Sequence, residues 1–142
     1  MNTFRTDRYI AALPAQIFAA MGDPQRLARW WGPDGFSNRF DRFEFKTGGR
    51  WVFDMIGPDG KVYPNECEVM KIEPDRQVVI RHVDAPEFVL TLTLTPAGDG
   101  TQLEWLQVFN DAAVAQAVAH IVRPANEQNL DRLERELGLR KP

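Results

Sequence analysis

The feature that most constrains the fold of this chain is a change in its hydrophobic period. Between residues 14 and 31 the apolar residues recur every three or four positions, which predicts helices. From about residue 39 to residue 109 they alternate with polar residues, which predicts strands with one buried face. Beyond residue 111 the helical spacing returns. This order predicts an α+β fold in which one curved antiparallel sheet wraps around a long C-terminal helix.

Boundary signals place two short helices after a first strand. Residues 3–12 read as a strand that Leu13 and Pro14 end, with Pro14 in the first turn of the first helix. Asp23 is the predicted N-cap of the second helix, which Gly32 ends. We expect Trp30 to anchor this pair of helices to the sheet. The next residue, Trp31, is expected either to anchor them too or to form a lid over a pocket.

Six strands are predicted after the two helices, about seven in all. Turn signals at 48–49, 57–60, 73–76 and 97–100 separate them, which predicts a meander of antiparallel hairpins. In residues 62–72 the apolar spacing lengthens after Val69, which indicates a bulge. Asp111 can cap the last helix, and Pro124 predicts a kink or two helices that meet there.

The composition, with few cysteines, histidines and serines, argues against several classes of function. The chain has 142 residues, which predicts one domain over residues 1–142, with 17 basic against 20 acidic residues. No basic run exceeds two residues, so nucleic acid is not expected as a partner. One cysteine, two distant histidines and a single serine predict neither a metal site nor a serine-based triad. No apolar run is long enough to span a membrane and no signal peptide opens the chain, so we expect a cytoplasmic protein.

A set of motifs resembles one known family. The run DPQRLARWWGP at residues 23–33 is similar to the D-P-x-x-L-x-x-W-W-G-P signature of the family named for the activator of the heat-shock protein 90 ATPase. The runs KTGGRWVF at 46–53, GPDG at 57–60, VMKIEP at 69–74, GTQL at 100–103 and NLDRL at 129–133 resemble further segments of that family. These matches span about 110 residues, and the first is the most specific.

The resemblance implies a fold and a place where function resides. The family belongs to the START and birch-pollen-allergen superfamily (SRPBCC), whose helix-grip fold encloses a hydrophobic cavity. Two departures bear on the ligand: Glu127 and Gln128 replace a Gly-Trp pair of many relatives, and His82 stands where a Trp ends the fifth strand. The resemblance implies that these positions face the mouth of the cavity.

A ligand site is therefore predicted between the sheet and the last helix. Its expected apolar residues are Trp31, Phe36, Trp51, Phe53, Met55, Val69, Ile80, Leu92, Trp105, Phe109 and Val122. Its expected polar residues are Cys67, His82, Gln107 and Asn126. A few convergent polar groups in an apolar pocket orient a small ligand. The alternative for these residues is an ordinary core, with Cys67 inert and the other polar groups satisfied by neighbours.

Three functions stay open from the sequence. The first is binding of a small hydrophobic or aromatic molecule without cofactor or metal, in a stress response, by a monomer or homodimer. The second, which the resemblance implies, is a module that binds a chaperone. The third is an enzyme like the polyketide cyclases and aromatases of the superfamily. An acid–base pair for such an enzyme would join His82 to Asp54 or Glu66, yet alternation puts both carboxylates on the outer face. Five further charged residues are expected to be solvated: Asp7, Arg8, Arg132, Glu134 and Arg135.

Overall fold

The computed structural model describes residues 2–141. Its elements, in chain order, are β1 (Thr3–Ile10), α1 (Pro14–Gly22), α2 (Pro24–Trp30), β2 (Ser37–Phe43), β3 (Arg50–Ile56), β4 (Val62–Glu73), β5 (Gln77–His82), β6 (Phe88–Ala97), β7 (Gly100–Phe109) and α3 (Ala112–Glu136). The strands form one antiparallel sheet in the order β1-β7-β6-β5-β4-β3-β2. With the long helix α3 this is the predicted α+β helix-grip fold, which is confirmed.

The predicted helix caps and the predicted bulge are present in the structure. The Asp23 carboxylate accepts the amide hydrogen of Gln25 at 2.9 Å, and the Asp111 carboxylate accepts that of Ala113 at 2.8 Å, so each caps its helix. In β4 the pairing register shifts between Val69 and Lys71, which confirms the predicted bulge. None of the helices in residues 2–141 is long and apolar enough to cross a membrane.

The last helix departs from one prediction. The alternative of two helices meeting at Pro124 is wrong, because α3 runs through this residue as one helix. The missing amide hydrogen of Pro124 leaves the carbonyl of His120 without its usual donor. Both residues are exposed, so water can hydrate that carbonyl and the helix continues.

The core has a large part and a small one. The large cluster fills the space between the sheet, α1, α2 and the C-terminal half of α3, where Leu130 and Leu133 are buried. Trp30 is fully buried in it and donates its indole N–H to the Ala20 carbonyl at 3.0 Å, which ties α2 to α1. The predicted anchoring role of Trp30 is thereby confirmed. The small cluster, formed by Phe4, Phe109 and Ala115, lies under the N-terminal half of α3.

Candidate functional site

A cavity of about 200 Å³ lies between the sheet and the middle of α3. The predicted apolar residues that line it are Trp31, Phe53, Met55, Ile80 and Trp105. The predicted polar residues that line it are Cys67, His82, Gln107 and Asn126. Strands β3 to β7, the segment after α2 and helix α3 therefore contribute side chains to one space.

The structure places the other predicted site residues elsewhere. Trp51, Val69 and Leu92 lie in parts of the large core cluster that do not border the cavity, while Phe109 and Val122 belong to or pack against the small cluster. Phe36 lies against Tyr63, with ring centroids 6.0 Å apart. Alternation predicts the strand residues among them, and it gives the face of a strand but not the position along it that borders a cavity.

Some lining residues were not predicted. These are Gly32, Pro33, Asn65, Phe88, Leu90, Ala125 and Asn129. Four carried a usable signal. On the strands, Phe88 and Leu90 share a face of β6 with the predicted Leu92, and Asn65 shares a face of β4 with the predicted Cys67. On α3, Asn129 follows Asn126 by three residues and so shares its face. Gly32 and Pro33, in the segment after α2, line the cavity because the fold brings them there, and the sequence carries no signal for this.

Trp31 forms a wall of the cavity. Its ring meets that of Trp51 edge to face, with centroids 5.7 Å apart, and lies 6.1 Å from that of Trp105. The next residue, Gly32, has a φ of 95°, and a Cβ there would lie 2.6 Å from the methyl carbon of Met55. A side chain at position 32 would thus be strained and would collide with the opposite wall.

Arg132 holds this wall in place. Its guanidinium donates to five main-chain carbonyls, at 2.7–3.0 Å, which belong to Arg29, Trp31, Gly32, Pro33 and Phe36. Burial lowers the pKa of Arg132 from its ordinary value, because desolvation disfavours the charge. The expectation that this residue is a solvated charge is therefore wrong. Main-chain acceptors have no signature in the sequence, so periodicity could not reveal them.

Asn129 adds a second link between α3 and the same segment. Its side chain donates to the Trp30 carbonyl at 2.7 Å and accepts the Gly32 amide hydrogen at 3.1 Å. Both polar functions of this buried amide are used. Its role is therefore to position the cavity wall.

Gln107 and Asn126 are paired on opposite walls. The Asn126 amide nitrogen donates to the Gln107 side-chain oxygen at 3.0 Å, across the cavity from α3 to β7. Asn126 is 9% exposed and Gln107 is 7% exposed. This pair forms the most buried polar contact within the lining between two side chains.

His82 has protein oxygens around both ring nitrogens. Its Nδ1 lies 2.9 Å from the Asp84 carbonyl and 3.1 Å from that of Pro86, and its Nε2 lies 2.6 Å from the side-chain oxygen of Asn65. Its ring stacks on that of Phe88 at 4.8 Å. These contacts fix the ring at the rim of β5, as the sequence alternative of a satisfied histidine predicts.

The groups considered for acid–base chemistry do not meet. Asp54 pairs with Arg39 at 2.6 Å and Glu66 pairs with Arg50, both away from the cavity lining. Burial raises the pKa of the Cys67 thiol to about 12, so this group stays neutral and is a poor nucleophile. Within residues 2–141 no group of three or more His, Cys, Asp or Glu side chains could hold a metal ion.

Two more expectations need correction. Glu127 does not line the cavity, because its carboxylate pairs with Arg8 at 2.8 Å on the other side of α3. Arg8 and Glu134 are not solvated charges, since Arg8 also binds Asp131 at 2.7 Å and Glu134 at 2.8 Å, and the Glu134 side chain is only 17% exposed. This ion cluster ties β1 to α3.

Comparison with known proteins identifies the family. The model of the activator of Hsp90 ATPase homolog 1-like proteins matches residues 11–138. The chain belongs to this family. In a comparison with curated proteins, none matches the chain.

Solved structures of similar proteins share the fold. A protein of Chromobacterium violaceum has a TM-score of 0.83 at 22% identity, over 100% of this chain and 99% of its own. A protein of Arthrobacter aurescens has a TM-score of 0.89 at 22% identity, over 98% of this chain and 87% of its own. A Silicibacter pomeroyi protein that bears the name AHSA1 has a TM-score of 0.76 at 22% identity, over 96% and 98%. At these identities the likeness shows the fold alone.

Proposed function

We propose that this chain acts as a single domain that binds a small hydrophobic or aromatic molecule in the cavity between the sheet and α3, without cofactor or metal. The observation that carries the proposal is the cavity of about 200 Å³, with aromatic walls and a few polar groups. Apolar walls with a small number of placed hydrogen-bonding groups are typical of ligand sites.

The size of the cavity limits the ligand. Sites for drug-sized molecules enclose roughly 300–1,000 Å³. An apolar cavity of about 150 Å³ in another protein is enough to bind benzene. At about 200 Å³ this cavity suits a molecule with one ring, and a flavonoid or a long fatty acid would require it to expand.

A chaperone-binding module is the second candidate. It is favoured by the family description, which names an activator of the Hsp90 ATPase, and by the large apolar residue Ile121 on α3, which is 59% exposed. An enzyme of the polyketide cyclase type finds less support, because the described residues that line the cavity include no carboxylate to act with His82.

The test is a nitrogen-15 NMR titration with single-ring aromatics, flavonoids and fatty acids. The indole signals of Trp31 and Trp105, which line the cavity, should shift saturably with one ligand class. The amide signal of Gly98, in the exposed turn between β6 and β7 and outside the lining, is the internal reference. Shifts confined to surface amides on addition of a chaperone fragment, with no ligand effect on Trp31 or Trp105, would favour the interaction module instead.

A pair of variants on one strand controls this experiment. In Ile80→Phe the larger side chain fills the cavity, so ligand binding should be lost while the fold is kept. In Val79→Phe, the neighbouring residue on the other face of β5, binding should persist. Equal binding by both variants would mean that the ligand sits outside the cavity.

A further inference from the structure

The amide pair in the cavity has hydrogen-bonding capacity to spare. Gln107 and Asn126 are both more than nine-tenths buried, and one hydrogen bond joins them. Among residues 2–141, the amide nitrogen of Gln107 and the side-chain oxygen of Asn126 make no other hydrogen bond. If both side-chain amides are flipped, Gln107 becomes the donor and Asn126 the acceptor. One amide nitrogen and one carbonyl oxygen then still remain without a partner. The pair therefore offers a ligand the unpaired amino group of one side-chain amide and the unpaired carbonyl oxygen of the other.

The cavity offers no charge to match an ionic ligand. Among the described residues that line it there is no Asp, Glu, Lys or Arg side chain. The Cys67 thiol is neutral, and the two ring nitrogens of His82 already face oxygens of Asn65, Asp84 and Pro86. An anion or cation buried here would lack a partner, which is costly in an apolar site.

The walls favour a flat apolar body. Trp31, Phe53, Phe88 and Trp105 line the same space as the amide pair. Aromatic side chains hold a ring by stacking or edge contacts, and the volume of about 200 Å³ admits one ring.

We propose that the ligand is a neutral single-ring aromatic molecule bearing a hydroxyl group, of the phenol class. A phenol hydroxyl donates one hydrogen bond and accepts another, so a single oxygen can satisfy both leftover groups of the Gln107–Asn126 pair. This inference rests on the proposed function, because it requires that the cavity binds a ligand.

The test compares three probes of similar size by calorimetry and NMR at neutral pH: 4-methylphenol, p-xylene and benzoate. In the unaltered protein, 4-methylphenol should bind about tenfold more tightly than p-xylene, the difference expected for a well-placed hydrogen bond. Benzoate should bind more weakly than either, since its charge lacks a partner. Equal binding of 4-methylphenol and p-xylene, or stronger binding of benzoate, would overturn the phenol proposal and leave the cavity proposal standing.

Variants locate the hydroxyl contact. Gln107→Leu should abolish the preference for 4-methylphenol and keep the binding of p-xylene. Gln102→Leu, which changes the same residue type on the exposed face of β7, should leave the preference intact. Gln107→Met gives a second variant if the leucine variant folds poorly. A preference that survives both changes at position 107 overturns the assigned contact, and failure of every probe to bind the unaltered protein overturns this inference and cavity binding of single rings together.

Discussion

The two halves of α3 are held to the rest of the molecule in different ways. Residues 125–136 pack Leu130 and Leu133 into the large core and carry the polar links of Asn129 and Arg132 to the segment after α2. Residues 112–124 rest on the small cluster around Ala115, and Ile121 is exposed. One helix thus has a firmly anchored half and a lightly anchored half.

This difference explains where the cavity lies. Its α3 residues, Ala125, Asn126 and Asn129, follow directly after Pro124, at the start of the anchored half. A helix half with few buried contacts opens at lower cost than one with many. The anchored half fixes the cavity wall, and we expect the lightly anchored half to open more often.

The largest contrast is expected from buried side chains. Leu130→Ala should lower the free energy of unfolding by about 3 kcal/mol, because it leaves a void in the large core. Val118→Ala, in the lightly anchored half, should cost about 1 kcal/mol or less, because Val118 is only partly buried. Urea unfolding of both variants measures the two values. Equal losses would show that the two halves are held alike.

The hydrogen bonds of Arg132 should give the next largest effect on stability. Arg132→Met removes five hydrogen bonds to main-chain carbonyls and should cost about 2 kcal/mol in unfolding free energy. It should also shift the indole signal of Trp31, since the wall it holds is released. The control is Arg123→Met in the lightly anchored half, where the guanidinium carbon lies 5.1 Å from the centroid of the Phe4 ring. There a loss of less than about 1 kcal/mol is expected, and a loss as large as that of Arg132→Met would refute the contrast.

A smaller effect depends on pH. Hydrogen bonds from Arg29 and Arg26 lower the pKa of Glu136, at the end of the anchored half, from its ordinary value of 4.5. Its ion pairs therefore stabilise the fold above that value, and the contribution is lost as the pH falls through the folded pKa. Glu136→Gln should cost about 1 kcal/mol at neutral pH and nothing once the carboxylate is protonated. Urea unfolding across pH 2–7 checks this, and a cost that persists at the acid end would argue against the ion pairs.

The smallest effect concerns local opening. Amide hydrogens of residues 116–122 should exchange faster with solvent than those of residues 127–133, by hydrogen exchange under native conditions. Addition of a cavity ligand should slow exchange in the first segment more than in the second. Uniform exchange along α3, with and without ligand, would show that the two halves open alike.

The architecture followed from the sequence because its signals are local. Alternation, turn residues and the caps Asp23 and Asp111 each depend on a few neighbouring residues, and the structure confirms the elements they predict. Pro124 alone does not predict whether the helix ends, because that depends on whether the freed carbonyl of His120 reaches water, and exposure is a tertiary property.

The site was only partly accessible from the sequence. Alternation identified Ile80, Trp105 and Gln107 on the inner face, and all three line the cavity. The same rule also selected Trp51 and Leu92, which lie in the core, because a period of two does not report depth along a strand. The role of Arg132 depends on main-chain carbonyls brought close by the fold, which no residue pattern announces.

The central claim is that a ligand occupies the cavity beside the anchored half of α3. Nuclear Overhauser contacts between bound 4-methylphenol and the protein test this most directly. We expect contacts from the ring protons to the side chains of Ile80 and Trp105 and to no exposed residue. Contacts confined to exposed residues such as Ile121, with none to Ile80 or Trp105, would contradict it.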